Sequence, residues 1–324
     1  MLNTEEEKKA GRMEELKTEL ASIAAGENRL GHEVNEETKI VVDFRGMLRE
    51  FRKDKLAVIA FGTLVLLLFL VFVGSLFFNE SQVLQIDLLN RYASPGKSHL
   101  LGTDEAGRDV LGQILLGART SIVAGTAVTV LTGFIGIGLG LLSGYYGGVL
   151  DVLLMRFVDS IMFLPASVLV LVLVAIVSEY NFFTFILLMS AFSWAGKSKV
   201  FRNRTRVEAK HDYVRASRTS GTNDLLIMAR EILPNLSSLV IINTTMSLAR
   251  NIGMEIGLSF LGLGLPYSMP SIGNLLRYAI SPTVFENYVW VWLPASILIF
   301  AVLLSIIYVG QALRRAADAK QMQG

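Results

Sequence analysis

The chain contains no cysteine and few charged residues, and each scarcity excludes a class of protein. Without cysteine it can hold neither a disulfide framework nor a thiolate metal or redox site. Its three histidines, His32, His99 and His211, are scattered and form no pair at metal-ligand spacing. Only 18% of the 324 residues are charged and 52% are hydrophobic, a balance that a soluble domain of this length rarely shows.

The sequence also lacks the phosphate-binding loop that many ATPases use. That loop needs a glycine five positions before its Gly-Lys-Ser or Gly-Lys-Thr, because backbone amides and the lysine together hold the phosphates. Two Gly-Lys-Ser triplets begin at Gly96 and Gly196, but Arg91 and Ala191 occupy the positions of the earlier glycine. Any ATP energy that this protein uses must therefore come from a partner.

Long uncharged apolar runs dominate the rest of the chain. The run from Leu56 to Phe78 carries no charge, and roughly 20 residues of helix cross ~30 Å of hydrocarbon. It is too long for a signal-peptide core and follows a long charged segment, so we expect a retained membrane helix. The pattern predicts an all-α membrane protein with about six transmembrane helices, at 56–78, 119–146, 161–178, 182–196, 236–258 and 289–310.

Lysine and arginine are concentrated beside alternate spans, which predicts the orientation. The segment before the first span, the loop at 197–235 and the C-terminal tail are basic, whereas the loop at 265–288 has only Arg277. Because cytoplasmic loops carry the excess of basic residues, six spans place both termini in the cytoplasm of a prokaryotic cell, with the spans in its plasma membrane.

Two domains are expected, a polar cytoplasmic N-terminal tail at 1–44 and a transmembrane domain at 45–324. Within the tail, Met13, Leu16, Leu20 and Ile23 fall at helical spacing, so a short amphipathic helix and a solvated tail are both open.

Small residues repeat every four positions in two of the predicted spans. Side chains this small leave a flat stripe along which two helices can approach closely, either within the chain or between subunits. Tolerance of glycine in membrane helices is the plainer alternative. The residues are Gly136, Gly140 and Gly144 in the second span and Gly253 and Gly257 in the fifth.

Two charged residues, Arg250 and Glu255, fall inside the fifth span. A charge at the centre of a membrane helix costs about 2.5–3.5 kcal/mol on insertion scales, so such residues face protein or a water-filled cavity. They either line a translocation path or pair with a neighbouring helix, and the sequence leaves both interpretations open.

Local signals inside the basic loop predict a pair of short helices. The first would run through 212–220 and end at Gly221, since glycine accepts the left-handed conformation that terminates helices. Thr222 or Asn223 would cap the second helix, which would end at Pro234 because the residue before a proline avoids helical angles.

This loop resembles the cytoplasmic coupling motif of ABC importer permeases, which reads Glu-Ala-Ala, three residues, Gly, nine residues, then Ile-x-Leu-Pro. The spacing fits, although Arg215 stands in place of the glutamate and Glu231 in place of the isoleucine. The segments that begin at His99, Gly144 and Glu255 are similar to segments of dipeptide and oligopeptide permeases. The matching coupling positions are Arg215, Ala216, Ser217, Gly221, Leu233 and Pro234.

The resemblance implies a type I ABC importer permease fold and the other parts of an importer. Such a permease pairs with a second homologous permease, two cytoplasmic ATPases that bind ATP and magnesium, and an extracytoplasmic peptide-binding protein. It is not an enzyme and holds no cofactor itself. Nickel, glutathione or another solute remains an alternative cargo, and a self-sufficient ion-coupled transporter is an alternative from another class.

Overall fold

The structure is a computed structural model that describes residues 44–163, 165–177, 180–266 and 268–321. The amphipathic helix considered for the N-terminal tail lies outside these residues. The described residues are mostly helical and contain no strand, only an isolated β-bridge between Thr103 and Asp109. The all-α prediction is therefore confirmed.

Thirteen helices are labelled here in chain order. A π-helical turn, Met228–Ile232, and a last turn, Leu233–Asn235, continue α9, and short helical turns lie at Ser75–Phe77, Glu80–Val83, Leu88–Asn90 and Arg277–Ile280. The helices are α1 (Phe44–Lys53), α2 (Lys55–Gly74), α3 (Val110–Tyr146), α4 (Gly148–Met162), α5 (Ala166–Ile176), α6 (Phe182–Ser193), α7 (Ala195–Glu208), α8 (Asp212–Thr219), α9 (Asp224–Ile227), α10 (Ser237–Phe260), α11 (Ile272–Leu276), α12 (Pro282–Asn287) and α13 (Val289–Gln321).

Three of the described helical stretches are long and apolar enough to cross a membrane, namely Lys55–Phe77, Val110–Tyr146 and Val289–Ala316. A fourth candidate is a broken one, in which Asp224–Asn235 meets Ser237–Phe260 at an angle of 73°. All six predicted apolar segments contain a helix, but not all six helices reach full length.

The helices at the third and fourth predicted spans, α5 and α6, are short. They contain 11 and 12 residues, and at ~1.5 Å of rise per residue each covers little more than half of the ~30 Å hydrocarbon thickness. Neither Pro165, which precedes α5, nor Trp194, which follows α6, is helical. On length and composition the structure thus supports three or four spans.

Contacts between residues far apart in sequence define two ends of the helical bundle. At one end, Arg315 donates to Asp54 at 2.7 Å, which brings the end of α13 to the start of α2. At the other end, Tyr278 donates to Asp104 and the Trp290 indole donates to the Thr103 carbonyl, both at 3.3 Å. We call the first end the basic end, because it also carries the basic loop at 197–235, and the second end the loop end.

Helix α3 runs from one end to the other and packs closely along α7. A Cβ added at Gly136, Gly140 or Gly144 would lie 2.6–2.7 Å from a side-chain or backbone atom of α7. Side chains would therefore push the two helices apart. The second glycine pair differs, because Gly257 has no atom within 4 Å and Gly253 meets only the tip of Leu303 at 4.0 Å.

Replacing Gly140 with valine should destabilise the fold by about 1–3 kcal/mol, the usual cost of overpacking a well-packed site. Its added Cβ would lie 2.6 Å from the Phe201 Cβ and 2.8 Å from the Ser198 carbonyl oxygen. Gly138→Val is the matched control in the same helix, since nothing lies within 4 Å of that position. Thermal unfolding in detergent measures both, and equal melting temperatures would contradict the close packing.

Candidate functional site

The segment from Asp212 to Asn235, here the corner segment, folds as two helical arms joined at Gly221. The first arm, α8, ends when the Thr222 amide donates to the Ser217 carbonyl and the Gly221 amide donates to the Arg218 carbonyl, both at 3.1 Å. Gly221 has φ = +79°. This pair of bonds with a left-handed glycine is the Schellman ending of a helix, so the corner depends on the backbone freedom of glycine.

The second arm begins at Asn223, whose side-chain oxygen accepts from the Leu225 amide at 2.9 Å. Asp224 lies in its first turn, where a negative charge interacts favourably with the helix dipole. Of the two capping residues considered from the sequence, Asn223 therefore makes the cap.

Helical structure continues one residue past Pro234, so the predicted end at that proline is slightly early. The reason is the π-helical turn at Met228–Ile232, which is followed by one more helical turn, Leu233–Asn235, that contains Pro234. The sharp bend follows at Leu236.

Side-chain hydrogen bonds join the two arms into one body. Ser217 on α8 donates to Glu231 on the π-helical turn at 2.6 Å. Asn235 donates to the Tyr213 hydroxyl at 2.8 Å, and that hydroxyl donates to Glu208 at 2.6 Å. Burial, followed by the nearby Glu208 carboxylate, raises the pKa of Tyr213, so the hydroxyl keeps the proton that it donates.

The inner side of the corner segment sits on the ends of α3 and α7. The Tyr145 hydroxyl donates to Asp224 at 2.6 Å, and the Arg218 guanidinium lies 4.7 Å from the centre of the Tyr145 ring. Below these polar contacts is a buried apolar cluster that includes Leu141, Tyr145, Phe201, Val214, Ile227, Met228 and Ile232.

The coupling residues predicted from the sequence fall mainly on the outer side of this body. Arg215, Ala216, Gly221 and Pro234 are exposed, whereas Ser217 and Leu233 are half-buried. The structure brings Ser217 to Glu231, one of the two positions that depart from the coupling motif. Sequence reasoning missed the anchor at Tyr145, because it lies 79 positions from Asp224 and has no local signal.

The two charged residues of the fifth span lie in different environments. Glu255 is fully buried and accepts hydrogen bonds from Ser259 at 2.8 Å and from Ser271 at 2.9 Å, which holds the start of α11 against α10. These contacts favour the second interpretation for Glu255, a structural partner. Arg250 is exposed and makes no ion pair or hydrogen bond within the described part of the chain.

Arg250 and Gly257, seven positions apart, define an outward face of α10 that is unlike a lipid-facing surface. The exposed residues of α10 are Thr244, Arg250 and Gly257, and none of its large hydrophobic side chains is exposed. Helix α2 differs, because Phe61, Leu66 and Phe69 are among its many exposed apolar residues. Since hydrocarbon does not solvate a guanidinium, the outward face of α10 suits protein or water.

A buried ion pair holds α4 to α7 beside the corner segment. Asp151 accepts from the Arg202 Nε at 2.7 Å and is also bonded by the Arg202 Nη2 and by Ser143. The Arg202 hydrogen bond is the main cause of a lowered pKa of Asp151, with Ser143 contributing. The carboxylate is thus charged at neutral pH.

Comparison with known proteins gives two family matches. Residues 136–321 match the family described as binding-protein-dependent transport system inner membrane component. Residues 44–95 match the N-terminal transmembrane domain of oligopeptide transport permease C.

Individual relatives cover most of the chain. The oligopeptide transport system permease protein OppC of Lactococcus lactis (strain IL1403) is 44% identical over 84% of this chain and 93% of its own length. The protein of the same name from Bacillus subtilis is 31% identical over 85% of this chain and 88% of its own. The glutathione transport system permease protein GsiD of Pectobacterium atrosepticum is 32% identical over 86% and 91%.

Replacing Arg202 with leucine should lower the stability by about 3 kcal/mol, because it leaves a buried carboxylate without its cation. Because the folded-state pKa of Asp151 lies below its unfolded value of about 3.9, the native pair stabilises fully above that pH. Its contribution is lost as the pH falls through the folded pKa.

The double variant Arg202→Leu with Asp151→Leu is the control, and it should recover most of the lost stability. Thermal unfolding of the native protein and both variants at pH 7 measures this. A double variant no more stable than Arg202→Leu alone would show that the pair does not account for the loss.

Proposed function

This chain belongs to the family of binding-protein-dependent transport system inner membrane components, and we propose that it is a permease subunit of an ATP-driven oligopeptide importer. Its similarity to the oligopeptide permease of Lactococcus lactis over 84% of the chain supports this cargo class. The subunit forms a passage through the membrane and makes or breaks no covalent bond.

The importer would contain three further kinds of subunit. We expect a second homologous permease, two cytoplasmic ATPases with ATP and magnesium bound, and an extracytoplasmic peptide-binding protein. The family description refers to a binding protein, and the absence of a phosphate-binding loop here requires a separate ATPase. This chain itself would need no cofactor.

The basic end of the bundle would face the cytoplasm of a prokaryotic cell. It carries the corner segment together with nine lysine and arginine residues between positions 197 and 235. Cytoplasmic loops carry this excess. Both termini would lie on the same side, because Asp54 at the start of α2 pairs with Arg315 near the end of α13.

The corner segment would transmit movement from an ATPase to the spans. The single observation that carries this proposal is that two arms, bonded through Ser217 and Glu231, rest on α3 and α7 with their outer side exposed. A body of this kind can move as a unit. ATP binding would then bias a two-state equilibrium between inward-open and outward-open arrangements by rigid-body rotation.

The outward face of α10 would line the translocation path or the contact with the second permease. Its exposed Arg250 supports this, because hydrocarbon does not solvate a guanidinium. Gly257 has open space around it, so a helix from another subunit could approach closely there.

Other cargoes within this family remain the alternative. The glutathione permease of Pectobacterium atrosepticum is 32% identical, against 44% for the oligopeptide permease of Lactococcus lactis. Membership in a family of binding-protein-dependent components argues against the self-sufficient ion-coupled transporter.

Replacing Gly221 with valine should reduce ATP-driven peptide uptake more than about tenfold, since a β-branched residue at positive φ costs about 1–3 kcal/mol and would displace the corner. The amount of protein in the membrane should stay the same. Uptake of a labelled peptide into cells, with an immunoblot of the membrane fraction, measures both quantities.

Gly62→Val is the matched control, because Gly62 is helical, has no atom within 4 Å and lies in α2. It should leave uptake unchanged. Normal uptake by the Gly221→Val protein would contradict the proposed coupling role.

Replacing Arg250 with leucine should lower peptide uptake without lowering the amount of protein in the membrane, because the side chain has no partner within the described chain to lose. Arg250→Lys keeps the charge and should retain part of the uptake. The same uptake assay and immunoblot apply. A fall in protein amount that accounts for the whole loss of uptake would favour a structural role.

A further inference from the structure

The exposed surface of the corner segment is basic. Arg215 and Arg218 have side chains that are 70% and 58% exposed, and Arg230 is also exposed. Asp212, 97% exposed, is the one strongly exposed carboxylate of the corner segment. A partner that docks there meets more positive than negative charge.

The only glutamate of the corner segment, Glu231, faces inward. Glu231 accepts from Ser217 through Oε1 at 2.6 Å, and its Oε2 is buried with no hydrogen-bond partner in the structure. In the coupling motif that this segment resembles, glutamate stands at position 215 and an apolar residue at 231. This chain therefore carries a cation where the motif has an anion, and its carboxylate is turned away from the surface.

Arg215 is more available to a partner than Arg218, the other arginine of α8. Arg218 is engaged with Tyr145, 4.7 Å from the ring centre, and lies 3.9 Å from Asp224. Arg215 has only Asp212, at 3.6 Å and on the same face of α8. Exposed pairs of this kind stabilise little, because water screens both charges, so a carboxylate from outside could replace Asp212.

We propose that Arg215 forms an ion pair with a carboxylate of the ATPase, whose docking groove is acidic at that point. This inference rests on the proposed coupling role of the corner segment and adds the chemistry of the partner surface. Opposite charges across an interface fix its register and exclude wrong partners. An ATPase that is basic at this point would be repelled by Arg215, so the pair would also select which ATPase the permease accepts.

Zero-length carbodiimide cross-linking of the Arg215→Lys importer, purified as a complex in mild detergent, tests the contact directly. The reagent joins an amine to a carboxylate in contact with it and does not join a guanidinium. We expect a cross-link from position 215 to an aspartate or glutamate of the ATPase, identified by mass spectrometry and absent from the native complex.

Charge reversal tests the function of the contact. Arg215→Glu should lower co-purification of the ATPase and peptide uptake more than about tenfold, since like charges across an interface repel, and Arg215→Gln should lower them less. Changing the cross-linked ATPase carboxylate to lysine should restore both in the Arg215→Glu importer. Arg49→Glu, an equal change at an exposed position on α1, is the control and should have no effect.

The outcomes separate this inference from the proposed function. Equal uptake by Arg215→Glu and Arg215→Gln, with no cross-link, would overturn the ion pair. If Gly221→Val still abolished uptake, the coupling role would stand without it. If neither Gly221→Val nor Arg215→Glu changed uptake, the coupling role would fall as well.

Discussion

The close approach of α3 and α7 is the contact on which the rest of the arrangement depends. Gly136, Gly140 and Gly144 remove the side chains that would separate these helices. The approach then carries the corner segment to Tyr145, at the end of α3, and to Phe201 on α7. A membrane helix gains little from apolar burial against lipid, so close packing of backbones is an effective way to join two of them.

This contact gives the proposed mechanism its mechanical basis. The corner segment is closed internally by the Ser217–Glu231 hydrogen bond and is seated on α3 through Tyr145 and Asp224. Helix α3 reaches the loop end without interruption, where Asp109 caps its first turn. In the proposed mechanism, a movement of the corner segment would therefore reach the opposite end through packed helices, without a flexible linker. Glu255, bonded to Ser271, joins α10 to the loop end in a similar way.

Local sequence signals predicted the helix ends of the corner segment, but they could not predict contacts between residues far apart in the sequence. Gly221 was placed at a helix end because only glycine readily adopts the conformation that the ending requires. Asn223 was one of two capping residues for the same kind of reason. The hydrogen bond from Tyr145 to Asp224 and the one from Ser271 to Glu255 join residues that only folding brings together, and one sequence cannot show such contacts. The helix end predicted at Pro234 was one residue too early, because a π-helical turn has no clear sequence signal.

The central claim is that the corner segment moves as one body with α3 and α7, and pulsed electron paramagnetic resonance tests it most directly. The chain has no cysteine, so Thr219→Cys and Asn203→Cys supply the only two spin-label sites on it, both exposed. The account predicts one unchanged distance between these labels in the nucleotide-free and ATP-trapped importer, while the distance from Asn203→Cys to a label on the second permease changes. A change in the Thr219–Asn203 distance on ATP binding would contradict it.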